Sequence, residues 1–410
     1  MEKDPDIIPR LFRNEFSKMV AVISNLFGLQ HIGIAEDIVS ETFLLATETW
    51  AAKGIPENPP AWLYTVAKHK TSHYFIRDKI FNRTAVPRLI SEQADYSQSP
   101  DPDFSNENIM DSQLKMMFAI CNPVIASEAQ IGLALRILCG FGIDEIAEAF
   151  LTNKETINKR LFRAKEKLRS EKVSMEMPEG HEVNNRLDNV LHIIYLLFNE
   201  GYYSTTKTET LRKDLCLEAL HLGVLLTAFE KTNLPQTNAL IALMCYHSSR
   251  FMARQTSDNL LILYENQDKE RWDNDLINKG HYFLTHSARG EEITSYHLEA
   301  RIAYWHSQKE DAPEKWNKIL HLYNQLLQIN YSPSVALNRT YALYKAKGAK
   351  VAIIEAEKLQ LDNNHFYFTL LGELYKGIDP PNARANFQKA FDLATTQSDK
   401  QILLAKMAAC

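Results

Sequence analysis

The sequence predicts an all-α protein, and three observations carry that prediction. Glycine supplies only 14 of 410 residues, too few for a sheet protein dense in turns. Apolar residues recur at helical spacing in one segment after another. The main breaks fall at Gly201, Pro235, Gly290, Pro313, Pro333, Gly348 and Pro380-Pro381, between the periodic stretches rather than inside them.

A chain of this length exceeds one ordinary core, so two to four domains are expected. The net charge of -5 gives no global basic signature, and any nucleic-acid contact must be local. The five cysteines are scattered and form no CxxC pair, which argues against a disulfide framework and a zinc site and fits a reducing cytosol. The N-terminus MEKDPDIIPR has no apolar run behind it, and no stretch approaches the roughly 20 apolar residues of a membrane span. A cytoplasmic protein without membrane contact is expected.

Residues 7–28 form the first amphipathic helix, with Leu11, Phe12, Phe16, Met19, Val20 and Ile23 on one face and a stop at Gly28. In the second, AEDIVSETFLLATETW, residues Ile38, Val39, Thr42, Phe43, Leu45 and Ala46 face inward and Glu36, Asp37 and Glu41 face out. A third helix starts at Pro59-Pro60, a favoured opening for a helix. Along 62–88, Lys68, Lys70, Arg77, Lys79, Arg83 and Arg88 interleave with Trp62, Tyr64, His69, His73, Tyr74 and Phe75. Cations alternating with flat rings suit an unstacked single strand, although Trp62 reads better as core.

Residues 91–111 carry six acids and no base among Ser, Pro, Asn and Gln, and read as an extended acidic linker. Beyond it, Ile143–Phe150 predicts a short helix, Leu151-Thr152-Asn153 a tight turn and Lys154–Arg169 a second helix. That is the outline of a helix-turn-helix. Ile157, Leu161, Ala164 and Leu168 point inward, which leaves Lys154, Thr156, Asn158, Lys159, Arg160 and Arg163 for DNA. Arg and Lys suit phosphates and guanine edges, and Asn suits adenine. From Arg186 onward helix follows helix, and the last pairs repeat near the ~34-residue period of TPR units, so an α-solenoid is expected.

These blocks resemble a known family. AEDIVSETFLLATETW followed by NPPAWLYTVAKHKTSHYFIRDK resembles the sigma-2 domain of extracytoplasmic-function (ECF) RNA polymerase sigma factors. IDEIAEAFLTNKETINKRLFRAKEKLR resembles their sigma-4 domain. LFNEGYYST, LLILYENQDKERWDNDLI and YSPSVALNRTYAL resemble the TPR-like extension of one subgroup. The resemblance implies sigma-2 over 1–88, an acidic linker over 89–111, sigma-4 over 112–172, a second linker over 173–185 and a helical extension over 186–410.

It also implies roles. Asp37, Glu41 and Phe43 would dock on the beta-prime subunit of core polymerase, with the beta subunit as a further partner. Lys68, His69, Lys70, Tyr74 and Arg77 would capture a strand of the minus-10 promoter element. The 154–169 helix would read minus-35 DNA. The acidic linker is either a spacer or an imitation of nucleic acid inside the polymerase. An unidentified ligand or protein would act on the extension, where Glu200, Tyr202, Asp268, Arg271 and Trp272 read as structural more readily than as a binding surface.

Catalysis has no support in the sequence: Gly-rich phosphate loops, GxSxG and HExxH are all missing. His281 and His286 are five apart, wrong for one face, and His192 and His221 sit on apolar helices where packing is the usual outcome. No cofactor and no metal are expected, and the protein is read as a non-enzyme. The competing readings are a helix-turn-helix regulator with a solenoid sensor that never binds polymerase, and a TPR-type scaffold with an N-terminal partner-binding bundle.

Overall fold

The computed structural model describes residues 7–85, 101–180, 182–202, 209–254, 262, 264–310 and 313–410, without the side chains of 76–85, 209–212, 313 and 397–398. Among the described residues every regular element is helical, as expected. The chain divides into two compact units, residues 1–200 and 201–410. The division lies past the expected 173–185 linker, because helix α8 begins at Glu182 and most of it belongs to the first unit.

The first unit is built around α1 (Ile7–Phe27), whose Phe16, Met19, Val20 and Ile23 are wholly buried. Helix α2 (Ile32–Lys53), α3 (Pro59–Ala85) and α4 (Asn106–Ile120) pack on it. Helix α4 starts inside the stretch read as linker, because the Ser105 hydroxyl accepts from the Asn108 amide and caps its N-terminus. Then come α5 (Ser127–Leu133), a π-helical turn over Ala134–Leu138, α6 (Ile143–Ala149) and α7 (Lys154–Ser170). The π turn also touches α1. Helix α8 (Glu182–Tyr202) is fastened to this unit by Asn189, whose amide donates to the Cys121 carbonyl and to Gln130 Oε1, and by Arg186, which donates to the Phe118 carbonyl.

The second unit runs through α9 (Glu209–Leu226), α10 (Pro235–Ser248), α11 (Asn274–Ser287), α12 (Ser295–Ser307), α13 (Pro313–Ile329), α14 (Pro333–Lys347), α15 (Ala349–Glu357), α16 (His365–Tyr375), α17 (Pro380–Leu393) and α18 (Gln397–Ala408). Pro235, Pro333 and Pro380 each occupy a first helical position, where the missing N–H costs nothing. From α12 to α18 each helix packs on the next in chain order, around a core that includes Trp316, Ile319, Phe368, Leu371 and Phe387. Helices α16 and α17 approach so closely that a Cβ on Gly372 would lie 2.5 Å from the buried Phe387 ring.

Of the residues read as ambiguous between structure and binding, Tyr202 and Trp272 are used internally in this unit, while Asp268 and Arg271 are exposed. Trp272 is buried, the Asp268 carboxylate accepts from the Glu270 amide, and Tyr202 lies under the Arg254 guanidinium, 3.9 Å from the ring centroid. The Tyr202 hydroxyl also accepts from Arg250 at 3.2 Å. By contrast His192 and His221 are exposed, not packed, since each falls on the outward side of its helix. Burial, with the charges of Arg250 and Arg254, holds His247 well below the usual histidine range. Burial, with Arg250 and Lys315, holds His306 down to about 3.

Two predictions test this packing. Gly372→Ala should lower stability by about 1–3 kcal/mol in denaturant unfolding, because the added methyl overpacks a ring that cannot swing away. Both histidines fold neutral but charge when unfolded near pH 6.5. Their contribution is therefore full above that pH and is lost as pH falls, by about 1.4 kcal/mol per pH unit for each histidine. Thermal melts between pH 7.5 and 5 should show the loss, and His306→Gln should flatten it.

Candidate nucleic-acid interface

Helix α6 opens with its Gly142 amide donating to Glu145 Oε2 at 2.7 Å. The turn after it closes through Leu151, which sits at φ 51, in the left-handed region. Asn153 then caps α7 by accepting from the Thr156 amide at 2.8 Å. Ile157, Leu161, Ala164 and Leu168 are the buried residues of α7, so all four inward positions fall as the spacing predicts.

The outer face of α7 borders a groove of about 510 Å³ opposite Val124–Ala129. Thr156, Lys159, Arg160, Arg163 and Lys167 line it. Arg160 is held in place, over the Phe150 ring at 5.0 Å and 3.3 Å from Glu128. Lys159 and Arg163 are exposed and have no carboxylate partner among the described residues. Lys154 stands off the groove and pairs with Asp144 at 2.6 Å, while Asn158 is exposed. Lys167 pairs with Glu171 at 2.6 Å, so Lys159 and Arg163 are the two groove cations without a carboxylate partner among the described residues, and their spacing on a helix suits the phosphate backbone beside a groove of duplex DNA.

The expected strand-capture residues on α3 are only partly free. Lys68 pairs with Asp101 at 2.8 Å and Lys70 with Glu41 at 2.7 Å. His69 is exposed, and half-buried Tyr74 meets the Phe27 ring edge-on at 5.5 Å. The Arg77 side chain lies outside the described residues, as do Lys79, Arg83 and Arg88. Tyr64, one of the rings interleaved with these cations, is half-buried, and its hydroxyl donates to Glu15 at 2.5 Å.

On α2, Asp37 and Glu41 are exposed, and Leu44 and Glu48 continue their stripe at spacings of four, three and four. Leu44 is 61% exposed, an apolar contact the sequence reading missed. Leu45 is also exposed at its edge rather than inward. Phe43 lies inward as its spacing predicts: it is buried and meets the Phe12 ring at 5.0 Å, so it supports the stripe from beneath and does not offer the docking surface that the resemblance implied.

Glu36 was expected outside and is instead buried. One oxygen accepts from Arg136 Nε at 3.1 Å, and the other pairs with Lys165 on α7. Arg136 sits in the π turn and also donates to the Phe141 carbonyl at 3.1 Å. Arg13 on α1 adds a second tie, pairing with Glu145 at 2.5 Å and lying over the Phe141 ring. The helix-turn-helix is thus fixed to α1 and α2 by charge as well as by apolar packing. No metal-binding group of three or more His, Cys, Asp or Glu occurs among the described residues, and no helix is long and apolar enough to cross a membrane.

The fold and site define an all-helical protein whose first unit presents a helix-turn-helix with a cationic groove. The chain belongs to the same family as an uncharacterized protein of Rhizobium meliloti (strain 1021), to which it is 31% identical over 377 residues, 90% of this chain and 88% of that protein. Residues 186–288 match a model described as a family of unknown function (DUF6596). No solved structure matches the chain.

Glu36→Ala should lower stability by about 3–5 kcal/mol, since it leaves two partly buried cations without their shared anion. Urea unfolding of the full chain measures this, and Glu36→Asp should recover part of the loss. A loss below about 1 kcal/mol would show that the bridge is only a surface pair.

Proposed function

We propose that this protein is an ECF-type sigma factor that binds RNA polymerase core, directs promoter-specific initiation and carries a TPR-like helical solenoid as its regulatory extension. It works in the cytoplasm and catalyses no reaction of its own. The observation that carries the proposal is the outer face of α7, where Lys159, Arg160, Arg163 and Lys167 share one open groove beside Thr156. The exposed Asp37, Glu41, Leu44 and Glu48 stripe supports it, being acidic with an apolar centre, a composition suited to a basic partner surface.

Elements at minus-10 and minus-35 lie about 25 base pairs apart, or roughly 85 Å of duplex at 3.4 Å per step. A compact unit of 200 residues has a radius of gyration of about 16 Å, hence a span of roughly 45 Å. α3 and α7 therefore cannot engage both elements while packed in one unit. Promoter engagement requires α7 to separate from α2, and the Glu36 bridges are what must part.

Full-length protein with purified core polymerase should start transcription from a matching promoter, and Asp37→Arg with Glu41→Arg should weaken core binding about tenfold or more. Arg163→Ala should weaken promoter DNA binding by about tenfold and lower the slope of log K against log salt by about one. Duplex binding without any binding to core, in the full chain and in a chain ending near Lys172, would instead favour a regulator that never meets polymerase.

A further inference from the structure

The segment leading into α4 lies on α3 in an arrangement that copies a nucleotide. The Phe104 ring stacks on Tyr64 with centroids 4.8 Å apart and planes only 4° from parallel. The Asp101 carboxylate sits 2.8 Å from Lys68 Nζ and also accepts from Ser72 Oγ at 3.4 Å. Between them Pro102 is buried, and the Asp103 carboxylate accepts from the Ser105 amide and hydroxyl, which turns the chain into α4. Tyr64, Thr65 and Lys68 line the α3 side of a cleft of about 350 Å³, with Asp101–Ser105 as its other wall.

We infer that Tyr64 and Lys68 form a subsite for one unstacked nucleotide of single-stranded DNA, and that Phe104 and Asp101 occupy it as base and phosphate stand-ins. The inference rests on the sigma-factor reading under Proposed function, in which α3 engages the minus-10 element. Face-to-face parallel stacking is how a base lies on a protein ring, whereas aromatic side chains often meet edge-on. The Tyr64 hydroxyl bond to Glu15 holds the far end of the ring in place, which keeps the ring on the α3 wall of the cleft. The cover is also weakly held. The Lys68 and Asp101 side chains are about half exposed, and an exposed ion pair contributes little. Its advantage is the tether, which keeps the stand-in at high local concentration without strong contacts. A DNA strand offering a true base, a true phosphate and further contacts along α3 displaces it.

Fluorescence anisotropy of a labelled single-stranded oligonucleotide with the full chain tests this. Asp101→Asn with Phe104→Ala should tighten binding about tenfold, the size of one stacking contact released from competition. Adding Tyr64→Ala should abolish that gain, and adding Tyr64→Phe, which keeps the ring, should preserve it. Equal affinity of wild type and the Asp101→Asn, Phe104→Ala variant would overturn the stand-in while leaving strand capture by α3 intact. A gain that survives Tyr64→Ala would overturn the subsite. If no variant binds the oligonucleotide, the subsite and the strand-capture reading fall together, and core binding measured in parallel shows whether the wider sigma reading falls with them.

Discussion

The first unit depends on one buried carboxylate. Taking Glu36 out of water carries a cost of several kcal/mol, and only close, well-directed partners on both oxygens offset it. Arg136 and Lys165 supply them from elements 100 and 129 residues further along the chain. The widened π turn over Ala134–Leu138 carries Arg136, and its guanidinium is held from behind by the Phe141 carbonyl. The interaction therefore fixes three things together: the register of α2, the path into α6, and the side of α7 left open to solvent. With Lys165 committed inward, Lys159, Arg160, Arg163 and Lys167 are the cations that remain on the groove.

What was legible in the sequence is what local spacing determines. The buried positions of α7, the start of α3 at Pro59 and the helix pairs α14–α15 and α16–α17 follow from periodicity and from Pro and Gly punctuation. The misreadings share one physical cause. Glu36 and Leu45 lie on a helix packed on more than one side, so a single amphipathic stripe does not describe it, and which neighbour claims which side is a long-range matter. The early start of α4 was hidden for another reason: acidic and polar residues read as linker also make good helix caps and first turns. Tyr64, read from the sequence among the rings of the basic stripe on α3, is half-buried, with its hydroxyl turned to Glu15 and its ring face stacked on Phe104, a contact from a segment 40 residues away that local spacing does not show.

In the second unit, two of the residues that stood between structure and binding, Tyr202 and Trp272, are taken up by internal packing. Tyr202, Arg250 and Arg254 stack and hydrogen-bond among themselves, and Trp272 fills core space. Their chemistry resembles that of an anion site, yet the contacts are inward. Two neutral histidines beside arginines and a lysine are stable only while the site stays closed to protons, which makes this part of the unit the more sensitive one to acid.

The two coverings in the first unit differ in kind, and the difference orders events. The Asp101–Phe104 segment is held by a half-exposed ion pair and one ring contact and is tethered, so on the proposed reading it would yield to a competitor of modest affinity. The Glu36 junction is buried, so parting it requires a partner whose binding differs between closed and open forms by several kcal/mol. DNA on α7 alone does not supply such a difference, since its groove is already open in the closed unit. A ligand with equal affinity for two states shifts nothing, however tightly it binds. If the protein works as proposed, the opening would come from a partner that contacts α2 or α3 and finds more surface once α7 has left. The exposed Asp37, Glu41, Leu44 and Glu48 stripe is where such a partner would first land.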